Sequence, residues 1–101
     1  DVPVDRAAID GRGFSATFAS FDAPERKDTW HHHGEHDVVA YLLSGGITVE
    51  TPDDGAEELQ PGDLVHIERG TIHREIYRGH VEMVGFTVGD GPGRIEASDN
   101  S

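Results

Sequence analysis

Turn-forming residues recur every eight to twelve positions through the middle of this chain, and this spacing limits what the chain can fold into. Glycine, alone or with proline, aspartate or serine, marks residues 44–46, 52–55, 61–63 and 69–70. These residue types end regular structure because they favour backbone angles found in turns. The intervals between the turns suit short strands. The spacing therefore predicts an all-β sandwich or barrel.

The apolar residues between the turns follow a strand pattern. Residues 14–18 alternate between apolar and small polar side chains, as expected for a strand with one buried face. The apolar run 38–43 stops at 44–46 before apolar residues resume at Ile47, which predicts a hairpin. The predicted strands cover residues 13–21, 29–33, 37–44, 47–51, 57–60, 64–68, 71–77 and 81–88.

The length of 101 residues supports one domain and is too short for two separate cores. Hydrophobic residues make up 35% of the chain, enough for one core, while 13 glycines and 5 prolines indicate many turns. Both ends of the sequence are polar and rich in glycine. We therefore expect an N-terminal arm over 1–12, a barrel domain over 13–88 and a flexible C-terminal tail over 89–101.

The charge of the chain disfavours two classes of partner. Twenty acidic residues against eight basic ones give a net charge of −12, spread along the sequence. Such a surface repels phosphate groups, so we expect neither nucleic acid nor a membrane surface as a partner. The sequence also lacks an apolar stretch of about 18 residues that could cross a bilayer. A cytoplasmic location is the expectation.

Histidines are concentrated in one short segment, and they suggest a metal site. Because the chain has no cysteine, any metal must be bound through nitrogen and oxygen. Four of the seven histidines lie within residues 31–36. On an extended strand, His31 and His33 point to the same side, about 6.5 to 7 Å apart at Cα, while His32 points to the opposite side. Two imidazoles placed in this way can converge on one ion.

A third ligand must come from another strand, because two neighbours on one strand cannot enclose an ion. His73 is the candidate, since the turn at 69–70 starts a strand that places His73, Glu75 and Tyr77 on one face. These polar groups on one side are typical of a cavity that contains water or a metal. The alternative is a cavity in which the histidines serve only as hydrogen-bonding groups.

These segments resemble the two motifs of the cupin superfamily. The first motif is written H-x-H, three or four residues, E, six residues, G. The second is written G, five residues, P-x-G-x-x-H, three residues, N. Six residues carry the resemblance, three in each motif: His31, His33 and Gly45, then Gly62, Gly70 and His73. The resemblance implies a single-domain cupin, which is a double-stranded β-helix or jelly-roll barrel.

The resemblance also implies one divalent metal ion bound by the three histidines. Counting back from Gly45, the family's glutamate falls on Val38, with Asp37 one residue earlier at the shorter permitted spacing. Asp37 is therefore the expected fourth ligand, and His36 and Glu75 are alternatives. Without a fourth ligand the site resembles the three-histidine site of some cupin dioxygenases. Ligand type leaves iron, zinc, nickel, copper and manganese open as the metal.

We therefore expect a metal-dependent, dioxygenase-like oxidoreductase acting on a small chelating organic molecule. Glu75 and Tyr77 are the expected catalytic residues, as acid or base groups beside the metal. Two alternatives stay open: a non-catalytic cupin that binds or senses a ligand, and a metal-assisted isomerase or lyase acting on a sugar or hydroxy acid. Small cupins tend to pair through edge strands, so the resemblance also implies a homodimer.

Overall fold

The computed structural model describes residues 8–89 and 94–97, and within them every regular element is a β-strand. The prediction of an all-β chain is confirmed. Parts of the predicted arm and tail, residues 1–7, 90–93 and 98–101, lie outside the described residues. The eight strands are β1 (Ala8–Gly11), β2 (Phe14–Lys27), β3 (His31–His32), β4 (Asp37–Thr51), β5 (Gly55–Leu59), β6 (Leu64–Ile67), β7 (Arg74–Val88) and β8 (Ile95–Glu96).

Six of the strands form one antiparallel sheet. Its order is β1-β2-β7-β4-β5, and β6 also pairs with β4 beyond the stretch that β5 occupies. The three long strands β2, β7 and β4 lie side by side and form the framework. The short strands β3 and β8 form a separate two-stranded sheet. Among the residues described, no helix is long and apolar enough to span a membrane.

The predicted hairpin at 44–46 is wrong, because β4 runs through this segment without reversing. Its pairing with β7 shifts between Leu42 and Ser44 and again between Ser44 and Gly46. Gly45 has a φ of 82°, in the left-handed region that glycine adopts readily. The segment is thus an irregularity that bends a continuous strand. Like a turn, it depends on a glycine with positive φ.

The strand opposite bends at the same level. The predicted strands 71–77 and 81–88 are one strand, β7, and Gly79 within it has a φ of 79°. A Cβ atom on Gly79 would lie 4.0 Å from the Cα atom of Gly45, so the two glycines face each other closely. The paired bends redirect both long strands together.

The core lies on the inner face of the bent sheet. Leu42 and Val81 are 1% and 0% exposed, at the point where β4 and β7 bend. Half-buried residues such as Val49 and Met83 pack around this cluster. The buried apolar residues that form the cluster are Ala23, Leu42, Ile47, Leu59, Tyr77 and Val81.

Paired strands extend beyond the expected domain of residues 13–88. β1, from the expected arm, pairs with β2 over Ala8 to Gly11. In the expected tail, Ile95 and Glu96 pair with β3, and the backbone N–H of Ala97 donates to the carbonyl oxygen of Trp30. The segment 94–97 therefore belongs to the folded unit.

We predict that Gly45→Ala is strongly destabilising. A Cβ atom there would lie 2.7 Å from the carbonyl oxygen of His80 and 2.9 Å from the Cα atom of Val81, both of which are backbone. Left-handed strain alone costs about 1 to 2 kcal/mol. With the clash added we expect a loss of about 3 kcal/mol or more in the free energy of unfolding, measured by urea denaturation.

Gly55→Ala is the matched control, because Gly55 has a φ of 86° and open space around its Cα atom. This variant should lose only the strain part of the free energy of unfolding. Equal losses of unfolding free energy in the two variants would show that the close contact at the bend does not contribute to the destabilisation.

Candidate metal centre

A backbone bridge between two separated segments creates the site. The N–H of His31 donates to the carbonyl of His73, and the N–H of His73 donates to the carbonyl of His31, both at 2.9 Å. Residues that exchange both hydrogen bonds in an antiparallel pair lie directly opposite each other and point to the same side. The bridge therefore brings the imidazoles of His31 and His73 together, with ring centroids 4.4 Å apart.

Four side chains converge beside this bridge, and we call them the histidine–glutamate group: His31, His33, His73 and Glu75. Each offers one ligand atom, and these atoms all lie within 4.8 Å of one another. His31 and His73 are 1% and 0% exposed, whereas His33 and Glu75 are half-buried. Alternation along the chain places His33 with His31, and Glu75 with His73, as the sequence predicted.

The backbone fixes the orientation of two of the imidazoles. Nδ1–H of His31 donates to the carbonyl oxygen of Thr29 at 2.7 Å, and Nδ1–H of His73 donates to the carbonyl oxygen of Thr71 at 2.9 Å. A carbonyl only accepts, so the proton of each neutral ring resides on Nδ1 and the lone pair on Nε2. This is the tautomer that a metal-binding histidine needs, with its other nitrogen hydrogen-bonded.

The carboxylate of Glu75 faces these lone pairs. Its Oε1 lies 3.1 Å from Nε2 of His73, and its Oε2 lies 3.6 Å from Nε2 of His31. Oε2 is buried and has no hydrogen-bond partner among the described residues. Lone pairs of neutral imidazoles and of a carboxylate repel one another unless a positive charge lies between them. The group is therefore built for a cation.

A proton can supply part of that charge. Burial lowers the pKa of His73, but the hydrogen bonds to Glu75 and to the carbonyl of Thr71 outweigh it and raise this pKa above its ordinary value. A divalent metal ion satisfies the group more completely, because it can accept lone pairs from all four side chains at once. Three nitrogens and one oxygen suit iron, zinc, nickel, copper or manganese.

The structure does not bring Asp37, the expected fourth ligand, to this group. Its Oδ1 accepts hydrogen bonds from the backbone N–H of Arg69 at 2.8 Å and from Nε of Arg69 at 3.3 Å. These bonds hold the pKa of Asp37 below its ordinary value. The neighbouring Val38 lines the interior cavity, so alternation turns Asp37 toward the outside. Glu75, an alternative in the sequence analysis, occupies the place expected for Asp37.

His36, another alternative, is also outside the group. It is buried, and its Nδ1–H and its backbone N–H both donate to the carbonyl oxygen of His33, at 3.1 and 3.0 Å. Its hydrogen bonds close the turn between β3 and β4. His36 therefore supports the position of His33 through the backbone.

A cavity of about 190 Å³ opens next to the histidine–glutamate group. His31, His33 and Glu75 line one part of it, and Tyr77 follows on the same strand as Glu75. Most of the remaining wall is aliphatic. The aliphatic and methionine residues that line it are Val38, Ala40, Leu42, Ile47, Val49, Leu59, Val65, Ile67 and Met83.

Tyr77 is 9% exposed and packs edge-on against Phe21, with ring centroids 5.2 Å apart. Burial raises the pKa of its hydroxyl well above the ordinary value, and the negative charges of Glu75 and Asp28 raise it further. Tyr77 therefore remains a neutral O–H group at physiological pH. It can donate a hydrogen bond to a molecule in the cavity.

Arg94 lines the cavity from the chain end, and sequence reasoning missed it. Its guanidinium donates to both carboxylate oxygens of Asp28 at 3.2 and 3.0 Å, to the hydroxyl of Thr29 at 2.8 Å, and to Glu96 at 3.1 Å. Burial raises the pKa of Asp28, but its hydrogen bonds with Arg94 and with the backbone N–H of Thr29 outweigh burial and lower this pKa below its ordinary value. Arg94 joins residues more than 60 positions apart, and no local motif in the sequence signals such a contact.

Comparisons with known proteins agree with this fold. The family profile of the cupin domain matches residues 20–89. This chain belongs to the cupin superfamily. A solved structure from Klebsiella pneumoniae, an uncharacterized conserved protein with a double-stranded β-helix domain, superposes with a TM-score of 0.74 at 15% identity and covers 96% of this chain and 84% of that chain. That likeness supports the fold, a jelly-roll barrel as predicted.

Two curated proteins of Bacillus subtilis are related in sequence. The uncharacterized protein YdbB is 32% identical over 59 residues, which are 58% of this chain and 50% of that protein. Quercetin 2,3-dioxygenase is 38% identical over 68 residues, which are 65% of this chain and 19% of that protein. The chain thus matches half of the first relative and about a fifth of the second.

We predict that Glu75→Gln weakens metal binding without destabilising the metal-free protein. The amide loses the negative charge, so we expect the Kd for Zn(II) or Ni(II), measured by calorimetry, to rise at least about tenfold. The amide N–H₂ can donate to an imidazole lone pair, so the Tm without metal should not fall. Glu57→Gln, at an exposed position of β5, is the control that should leave both values unchanged. An unchanged Kd in Glu75→Gln would exclude the carboxylate as a ligand.

We also predict that Asp37 titrates as a surface partner of Arg69. In Arg69→Ala its pKa should rise toward 3.8 without reaching it, because the backbone N–H of residue 69 still donates. Since folding lowers this pKa, the stabilisation is present above pH 3.8 and is lost as pH falls through the lower folded value. Carboxyl NMR titration measures the shift. A large response of the Asp37 signal to added Zn(II) would contradict this assignment.

Proposed function

We propose that this cupin is a metal-dependent enzyme with dioxygenase-like chemistry on a small, metal-chelating organic molecule. The observation that carries the proposal is the group of three imidazoles and one carboxylate beside an aliphatic cavity. Four protein ligands leave two positions open on an octahedral ion, and open positions distinguish catalytic from purely structural sites. A bound metal would supply Lewis acidity and, for iron or copper, redox chemistry with dioxygen.

The cavity limits the substrate in size and charge. Its volume of about 190 Å³ lies below the roughly 300 Å³ at which pockets for drug-sized ligands begin. Arg94 is the sole lysine or arginine among the described lining residues, and Asp28 and Glu96 already neutralise it. Within the described ranges, 8–89 and 94–97, a strongly anionic molecule would therefore find no unpaired lysine or arginine in the cavity, only the metal. We propose a neutral or singly charged substrate with an aliphatic or aromatic body and oxygen atoms at one end.

In this proposal, Glu75 and Tyr77 are the side chains that exchange protons and hydrogen bonds with the substrate. Tyr77 stays protonated and lies two residues from Glu75 on the same face of β7, so it can donate a hydrogen bond to a substrate oxygen. Glu75 holds negative charge beside the imidazoles and can accept a proton from a substrate hydroxyl that approaches the metal position. The aliphatic wall excludes water from the reacting end of the substrate.

The likeness to quercetin 2,3-dioxygenase supports dioxygenase chemistry, although this chain matches only a fifth of that protein. The non-catalytic binding cupin is the competing proposal, and the experiment below separates the two. The cytoplasmic location expected from the sequence stays a prediction. The homodimer also stays a prediction.

The test is oxygen consumption by the protein loaded with Fe(II), Cu(II), Ni(II) or Mn(II), assayed across small diketones, catechols and thiols. We expect turnover with at least one pair of metal and substrate. His73→Ala should lower metal content and reduce kcat/KM at least about 100-fold, because it removes a ligand. His80→Ala, at an exposed position in β7, is the matched control that should retain both the metal content and the kcat/KM of the unmodified protein.

Tyr77→Phe separates catalysis from metal binding. The variant keeps the ring that packs against Phe21, so metal content should stay at the level of the unmodified protein, while kcat falls by about 100-fold. Full metal loading with no oxygen consumption on any of these substrates would contradict the enzyme and favour a binding protein. A Tm that added metal does not raise would contradict the metal site itself.

A further inference from the structure

Two imidazoles of the histidine–glutamate group, those of His31 and His73, are oriented by carbonyl groups with different supports. Each Nδ1–H donates to the carbonyl oxygen of the threonine two positions earlier, Thr29 or Thr71. A local turn fixes the backbone of Thr71, because its N–H donates to the carbonyl oxygen of Glu68 at 3.1 Å. The ring of His73 therefore keeps its orientation without help from distant parts of the chain.

Thr29 is supported from the C-terminal segment instead. Residues 28–30, which join β2 to β3, contain no hydrogen-bonded turn. The hydroxyl of Thr29 accepts a hydrogen bond from Nη2 of Arg94 at 2.8 Å and donates one to Oε2 of Glu96 at 2.7 Å. Its backbone N–H donates to Oδ1 of Asp28 at 2.8 Å, and both Nη atoms of Arg94 donate to that carboxylate. Arg94 thus contacts Thr29 directly and again through Asp28.

The geometry of Arg94 makes this support stronger than an ordinary surface ion pair. Its side chain is 39% exposed, and a single ion pair at such a position contributes little to stability. Here, however, one planar group donates at the same time to both carboxylate oxygens of Asp28, to Thr29 and to Glu96. Contacts of this bidentate kind fix the geometry of their acceptors as well as adding energy.

The backbone on both sides of Thr29 is anchored as well. Glu96 in β8 pairs with His31 in β3. On the other side, the backbone N–H of Asp28 donates to the carbonyl oxygen of Glu75 at 2.8 Å, so Asp28 is attached to β7 beside the histidine–glutamate group. Asp28 is therefore a fixed point against which the guanidinium can hold Thr29.

We propose that Arg94 is a positioning residue for the histidine–glutamate group: it fixes the carbonyl of Thr29, and through that carbonyl the orientation of the His31 ring. The inference rests on the metal centre that carries the proposed function. Arg94 lies beyond residues 20–89, which the family profile matches, so this support comes from outside the matched domain. Groups that orient a metal-binding histidine in this way contribute to metal affinity without touching the ion.

Metal affinity of the full chain is the first test. Arg94→Gln removes the charge and the bidentate contact, so the Kd for Zn(II), measured by calorimetry, should rise about tenfold, the lower end of the range for groups that orient metal ligands. Thr29→Val removes only the hydroxyl contact and should raise the Kd less. Because both changes interrupt the same support, the effect of the double variant should be smaller than the product of the two single effects.

Arg78→Gln is the matched control. Arg78 also donates to a carboxylate and to a threonine, Glu25 at 3.3 Å and Thr48 at 2.8 Å, but these residues do not belong to the histidine–glutamate group. This variant should leave the Kd for Zn(II) unchanged.

NMR of the metal-free protein separates positioning from a general loss of stability. In Arg94→Gln the Nδ1–H signal of His31 should be broadened or lost through exchange with water, whereas that of His73 should persist, because Thr71 keeps its local turn. Loss of both signals, or of neither, would overturn the proposal, as would an unchanged Kd or single effects that multiply in the double variant. An unmodified protein that binds no Zn(II) would contradict the proposed function, and the two NMR signals would still decide this inference.

Discussion

The reciprocal hydrogen bonds between the backbones of His31 and His73 are the constraint on which the site depends. They join a two-residue strand to the segment that leads into β7, and they bring two imidazoles close together in the interior, with the ring planes tilted by 54°. His33 and Glu75 then follow by strand alternation, with no further long-range contact required. One backbone pairing therefore positions four side chains from two distant parts of the chain.

The same arrangement places several groups with lone pairs or negative charge close together, so it favours a bound cation. Carbonyl oxygens of Thr29 and Thr71 hold the two Nδ1 protons away from the centre, and the Nε2 lone pairs face a carboxylate with a buried, unpartnered oxygen. Such a group is costly to bury without a cation. The barrel around it supplies the stability that keeps this unfavourable arrangement in place, and a bound cation converts it into a favourable one.

Much of the site could be predicted from the sequence, because the spacing of two between His31 and His33 and between His73 and Glu75 is itself geometric information. The prediction of Asp37 as a ligand is wrong because it rests on motif spacing alone. The side chain of the neighbouring Val38 faces the interior, so alternation turns Asp37 outward. The sequence predicts a hairpin at 44–46 where the structure has a bend, because glycines with positive φ occur both in turns and in irregular strands. Arg94 could not be predicted, since its contacts with Asp28 depend on how distant segments meet.

The paired bends at Gly45 and Gly79 determine where the length of β7 can change. Its first half carries Glu75 and Tyr77 toward the cavity, and its second half carries Phe86 and Val88 toward the exterior. Inserting one residue in either half would turn every side chain beyond the insertion to the opposite face of the sheet. Phe86 would then point into the interior, or the carboxylate of Glu75 would point out of it. Length changes are absorbed best next to Gly79, where the stretch of β7 from Arg78 to Glu82 already faces a shorter stretch of β4, from Ser44 to Gly46. Related chains can therefore differ in length here and keep both halves of β7 intact.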